Sequence, residues 1–119
     1  MDVRAFADEL LSALTDTGLF ERLALQTEGP IANGYAYVGE DLFLRFYFNE
    51  VTGTIAFALI EKQQRIWGVD YDNRRGWHLH PADSPTDHIK IGPLSVSEIV
   101  ARLQNVLKRN QEQKEASGQ

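Results

Sequence analysis

The chain contains no cysteine, which excludes disulfide frameworks, thiolate metal sites and cysteine nucleophiles. Long apolar runs are also missing. The longest uncharged stretch is Gly29–Gly39, eleven residues, against the ~20 needed to span a bilayer. Asp2, Arg4, Asp8 and Glu9 interrupt the first apolar pattern, which is unlike the core of a secretory signal. A cytoplasmic protein without membrane association is the expectation. Bases are scarce at the start: residues 1–61 hold ten acids and three bases, net −7, while residues 62–119 hold seven acids and nine bases, net +2. With −5 overall, the molecule has no general attraction for polyphosphates, so any nucleic-acid contact must be local and belong to the second half. Repeats and low-complexity linkers are absent, and 119 residues amount to one domain with a real core.

What is present is strongly patterned. Val3, Phe6, Ala7, Leu10, Leu11 and Leu14 share one helical face, with Asp2 to cap the start and Gly18 to close the end. Leu19–Thr27 reads as helix extension or strand, its alternation leaning toward strand. Gly34–Val38, Leu42–Asn49, Thr54–Ile60 and Arg65–Asp72 read as strands separated by short turns. In Leu42–Asn49, Leu42, Leu44, Phe46 and Phe48 take one face and Phe43, Arg45, Tyr47 and Asn49 the other. Ser95–Glu98 matches a capping box ahead of Val96, Ile99, Val100, Leu103, Val106 and Leu107. These elements predict an α+β fold: an antiparallel meander of about five to six strands with an N-terminal and a C-terminal helix on one face, a two-layer sandwich. Residues 1–109 form this domain, and 110–119 are expected to fray as a polar tail.

The chemistry concentrates between Asp70 and His88. All three histidines, His78, His80 and His88, fall there. Trp67, Val69, Tyr71, Trp77 and Leu79 are the bulky positions and face the core, so Asp70, Asp72, His78 and His80 point the other way. Arg74-Arg75-Gly76 has the form of a three-residue hairpin loop closed by a left-handed glycine. That register sets Asn73 opposite Trp77, Asp72 opposite His78 and Asp70 opposite His80. Two Asp–His pairs would then stand side by side on a solvated face, with Arg74 and Arg75 at the tip.

Such a surface supports two chemistries. His78 and His80 could act as base and acid on a ribose 2′-hydroxyl and a leaving 5′-oxygen, oriented by Asp70 and Asp72, with arginine stabilising the phosphorane-like transition state. This reading needs no cofactor and no metal, and it ranks first among the active readings. Alternatively, same-face His78 and His80 could chelate a divalent metal, with Asp70 or His88 completing the set. The plain reading beside both is a solvated hairpin face. Phe43 and Tyr47 could instead mark a homodimer or partner surface, as in a non-catalytic acidic adaptor.

The meander ending in Tyr71-Asp72-Asn73, the stretch Trp77-His78-Leu79-His80-Pro81 and the helix after Pro93 together resemble the TumE-like toxins of toxin–antitoxin pairs. The likeness covers roughly residues 34–107. It implies a toxin that blocks translation by attacking RNA and is neutralised by a helix-turn-helix antitoxin. Asp72, Asn73, His78 and His80 would carry over by position, with Asn73, Arg74 and Arg75 against the RNA.

Overall fold

Helix α1 (Val3–Thr17) is set by its caps and its apolar stripe. Asp2 accepts from the Ala5 N–H at 2.7 Å, and Gly18 (φ 66°) ends the helix in the left-handed region. The computed structural model describes residues 1–117. Seven strands follow: β1 (Arg22–Glu28), β2 (Ile31–Tyr37), β3 (Leu42–Asn49), β4 (Thr54–Glu61), β5 (Gln64–Asp72), β6 (Gly76–His80) and β7 (Ile89–Lys90). Helix α2 (Val96–Ser117) closes the chain. All strands lie in one antiparallel sheet in sequence order. The α+β meander with two helices is as expected. The strand count is higher because Leu19–Thr27 supplies β1 and because β7, only two residues long, is too short for alternation to reveal.

Both helices cover the same sheet face. Phe6, Leu10 and Leu14 of α1 and Val96, Ile99, Leu103 and Leu107 of α2 meet Leu44, Phe46, Phe48, Phe57, Leu59, Trp67 and Val69 in one buried cluster. Phe6 stacks on Phe48 with ring centroids 4.6 Å apart. Ser95 and Glu98 form the capping box in both directions, at 3.1 and 3.0 Å. No helix among the described residues is long and apolar enough to cross a membrane.

The second helix runs past Asn110 to Ser117, where the lost apolar pattern suggested a frayed tail; residues 118–119 lie outside the described part. The reason is tertiary. Asn110 and Lys114, one turn apart, both bond Glu61 at the end of β4. The Lys114 and Asn110 contacts, with the charge of Lys62, outweigh burial and hold the Glu61 carboxyl below its ordinary value.

Among the described residues no helix covers the other face, and its side chains make a step. Tyr35, Tyr37, Phe43, Arg45 and Tyr47 stand tall on β2 and β3, while Ala56 and Ala58 on β4 are short. An irregularity between Leu59 and Ile60 changes the phase of β5. Leu59 pairs with Trp67 but Ile60 pairs with Arg65, which brings Arg65 onto the open face. The site is built on this step.

Candidate functional site

The last hairpin keeps the expected phase and changes the expected register. Tyr71 pairs with Trp77, Asp72 with Gly76, Asp70 with His78 and Gly68 with His80. The pairing is two residues away from the one expected, so the same side chains stay on the same face with different neighbours. Asp72 causes the shift. Its Oδ1 accepts from the N–H groups of Arg74 and Arg75 at 2.9 and 2.8 Å, and its Oδ2 pairs with Arg75 Nε at 2.9 Å. A side-chain cap of this kind starts the turn one residue early. Gly76 (φ 72°) still supplies the left-handed residue.

The two expected Asp–His pairs therefore become one carboxylate with two imidazoles. Asp70 Oδ2 lies 3.3 Å from His78 Nε2 and 3.1 Å from His80 Nε2. Asp72 binds neither histidine. Asn73 is also structural: its Nδ2 donates to Thr52 O at 3.0 Å, and the Tyr71 hydroxyl donates to its Oδ1 at 3.2 Å. Asn73, Arg74 and Arg75 stay at the hairpin tip with Asp72 and Thr54, in a shallow depression of their own.

Solvation of the histidines is the second correction. His78 and His80 are on the helix-free face but only 3% and 1% exposed. The cover is the connection from Pro81 to His88, folded into successive turns by Ser84 N to Pro81 O (3.1 Å) and Asp87 N to Ser84 O (3.0 Å). The loop is pinned to the site through its own backbone, since His80 Nδ1 meets Pro85 O at 3.2 Å. It returns His88 to the cluster, with ring centroids 4.4 Å from His80 and 5.5 Å from His78. His88 remains exposed.

Beside the cluster, Gly68 runs close to the backbone of β4. A Cβ there would sit 2.9 Å from Phe57 O, with Arg65 Cδ and His80 Cδ2 at 3.5 and 3.6 Å. Burial, together with the positive charge of Arg65, holds the His80 imidazole below its ordinary value, and Asp70 does not offset them. At the hairpin tip the N–H groups of Arg75 and Arg74 outweigh burial and keep the Asp72 carboxyl below its ordinary range. His78 Nε2 is buried without an aligned hydrogen-bond partner; Asn110 Oδ1 is the other such side-chain atom among the described residues.

A trough of about 490 Å³ runs along the open face and ends at Asp70. Ala56 and Ala58 lie along its floor, Tyr35, Arg45 and Tyr47 on one side, Arg65 and Asp70 on the other. Beyond it, Tyr35, Tyr37 and Phe43 form an aromatic group, with the Arg22 guanidinium 4.2 Å above the Tyr37 ring. His78, His80 and His88 bring ligand atoms close enough together to hold a metal, and Asp70 lies against two of them. Comparison with protein families, curated proteins and solved structures finds no match. Function therefore has to be argued from the site.

Sequence reasoning found Asp70, His78 and His80, and missed how Arg45, Arg65 and His88 join them. Arg45 was visible as an outward residue with no partner to give it a role. Arg65 was hidden by the phase change, and His88 by the aperiodic loop that carries it.

Proposed function

We propose that the chain is a toxin-like RNA-cleaving enzyme that takes a phosphodiester into the open-face trough. One juxtaposition supports this reading: Arg45 and Arg65 line the trough that ends at Asp70, against His78 and His80. Guanidinium groups bind phosphate oxygens and stabilise the charge that builds on a five-coordinate phosphorus. The aromatic group of Tyr35, Tyr37 and Phe43 offers π faces to unpaired bases. In the step itself an oxygen nucleophile loses its proton at the cluster and attacks phosphorus. The bond from phosphorus to the ribose 5′-oxygen breaks, and that oxygen takes up the proton that the cluster accepted from the nucleophile. His78 and His80 serve from behind Asp70, since two buried rings on one side of the trough cannot flank a phosphate as opposed base and acid. The resemblance to TumE-like toxins supplies the setting: a block on translation, relieved by a helix-turn-helix partner.

Purified protein supplied with divalent ions is expected to cut single-stranded RNA, and Asp70→Asn to lose ~100-fold or more of that activity. RNA left intact by the unaltered protein with and without added ions overturns the reading, as does equal cleavage by Asp70→Asn. A second reading, a non-catalytic partner-binding domain, draws on Tyr35, which is 41% exposed on the open face. A stable homodimer lost in Tyr35→Ala and kept in Asp70→Asn would favour it.

A further inference from the structure

Two imidazole nitrogens meet one carboxylate oxygen, Asp70 Oδ2: His80 Nε2 within hydrogen-bonding geometry and His78 Nε2 buried without a partner. His78 Nδ1 faces Gly76 O at 3.3 Å, and His80 Nδ1 faces Pro85 O at 3.2 Å. A carbonyl oxygen only accepts, so the tautomer that satisfies both carbonyls places the ring hydrogen on each Nδ1. In a neutral ring Nε2 is then a bare lone pair. Both lone pairs lie against the same oxygen, Asp70 Oδ2, at 3.3 and 3.1 Å. Imidazole acceptors buried against a carboxylate that is itself about a fifth exposed are costly unless a proton or a cation joins them. Among the described residues no lysine or arginine is ion-paired with Asp70. One extra proton on one ring relieves one contact and leaves the other. A cation at the meeting point relieves both.

The spacing fits such a cation. An ion with bonds of about 2.0–2.1 Å in tetrahedral geometry separates its ligand atoms by about 3.3 Å. The two contacts of Asp70 Oδ2 already have that length. The ligand atoms of the three imidazoles lie within 4.8 Å of one another, so closing onto an ion takes a movement of about 1.5 Å at most against that spacing. His88, at the end of an exposed loop, is the ring freest to make it. Backbone carbonyls on Nδ1 are also the usual means of fixing the tautomer and orientation of a metal-bound imidazole.

We propose that His78, His80, His88 and Asp70 form a binding site for one divalent transition-metal ion of the zinc class. Three imidazoles and a carboxylate, without thiolate, suit borderline divalent ions rather than calcium or magnesium. The loop from Pro81 to Asp87 has a purpose in this arrangement. Its turns carry His88 back over eight residues to the pair on β6, and the Ser84 hydroxyl bonded to Asp87 Oδ2 at 2.8 Å holds the last turn. Four protein groups would close the zinc site, whereas the three imidazoles alone would leave a fourth position open if Asp70 yields its place. The trough is the side from which an oxygen nucleophile or a phosphate oxygen would arrive. The site rests on its own geometry and stands without the RNA reading.

The test uses the full chain, stripped with a chelator and titrated with Zn²⁺ alone, followed by calorimetry, metal analysis and thermal unfolding. The expected result is one ion per chain and a raised Tm. Loss of a group that merely orients a ligand costs 10–100-fold in affinity. His88→Ala and Asp70→Asn, each removing a ligand, are therefore expected to weaken binding by about 100-fold or more. His88 is exposed, so His88→Ala should fold, and a circular dichroism spectrum like that of the unaltered protein checks it. Absence of stoichiometric Zn²⁺ binding overturns the proposal. So does binding that both variants retain at full strength, since the ion would then lie elsewhere. Zinc binding by a protein inert toward RNA would leave this site standing and remove only the substrate.

Discussion

Asp70 and Asp72 sit two residues apart on one strand and point to the same sheet face, yet they have entirely different partners. Asp72 is taken up by the turn: two backbone N–H groups and the Arg75 side chain use both of its oxygens. Among the described residues Asp70 has no backbone donor and no arginine paired with it, and one of its oxygens is shared between two buried imidazoles. Side-chain chemistry and strand phase are identical. The difference comes from distance to the turn, because a carboxylate beside a turn is captured by local N–H groups that a mid-strand carboxylate cannot reach. Asp72 therefore shapes the hairpin, and Asp70 is left free for chemistry.

The sharpest way to break this comparison is to neutralise each aspartate in turn. Asp70→Asn is expected to lose ~100-fold or more of RNA cleavage with its fold intact. Asp72→Asn is expected to keep cleavage and Zn²⁺ affinity within a few-fold while loosening the hairpin, read as faster amide exchange at Arg74 and Arg75. Equal losses in both variants would mean that the turn and the site are one unit. Next in size, Arg65→Ala should raise KM for RNA by roughly tenfold, the worth of one charge-assisted phosphate contact, and leave Zn²⁺ affinity nearly unchanged. Gly76→Ala places a Cβ at φ 72° in open space, so its cost is backbone strain of about 1–2 kcal/mol. Denaturant unfolding measures that cost, and the site should keep its ion.

The smallest effect is on acid stability. The Asp72 and Glu98 carboxyls lie below their ordinary values of 3.8 and 4.5, through the N–H groups of Arg75 and Ser95 respectively. A folded pKa below the unfolded one means that the unfolded chain binds the proton more readily. Their stabilisation is thus complete above those ordinary values and is lost as pH falls through the lower folded ones. Unfolding midpoints taken from neutral to acid pH should hold until the carboxylate range and then decline. In Asp72→Asn that decline should be shallower.

Strand phase was legible because a period of two runs through Trp67, Val69 and Tyr71 and resumes at Trp77 and Leu79, and it tolerates no slip of one. It placed Asp70, His78 and His80 on a common face before any register was known. Register was not legible, since alternation is blind to a slip of two and the turn was decided by Asp72 hydrogen bonds. Burial of the histidines was hidden for another reason: their cover is the aperiodic loop Pro81–Asp87, whose path depends on contacts such as His80 to Pro85. The inversion at Arg65 needed knowledge of the pairing between β4 and β5. The far end of α2 needed Glu61, about fifty residues upstream. In each case local pattern gave the element, and a contact distant in sequence gave its consequence.

The most direct measurement is nitrogen-15 NMR of the histidine rings in the ion-free protein at mildly alkaline pH, repeated with one equivalent of Zn²⁺. His78 and His80 are expected as Nδ1–H tautomers with bare Nε2, and all three rings should shift when the ion is added. Rings found with hydrogen on Nε2, or unmoved by the ion, would contradict the convergence on Asp70 from which the site is built.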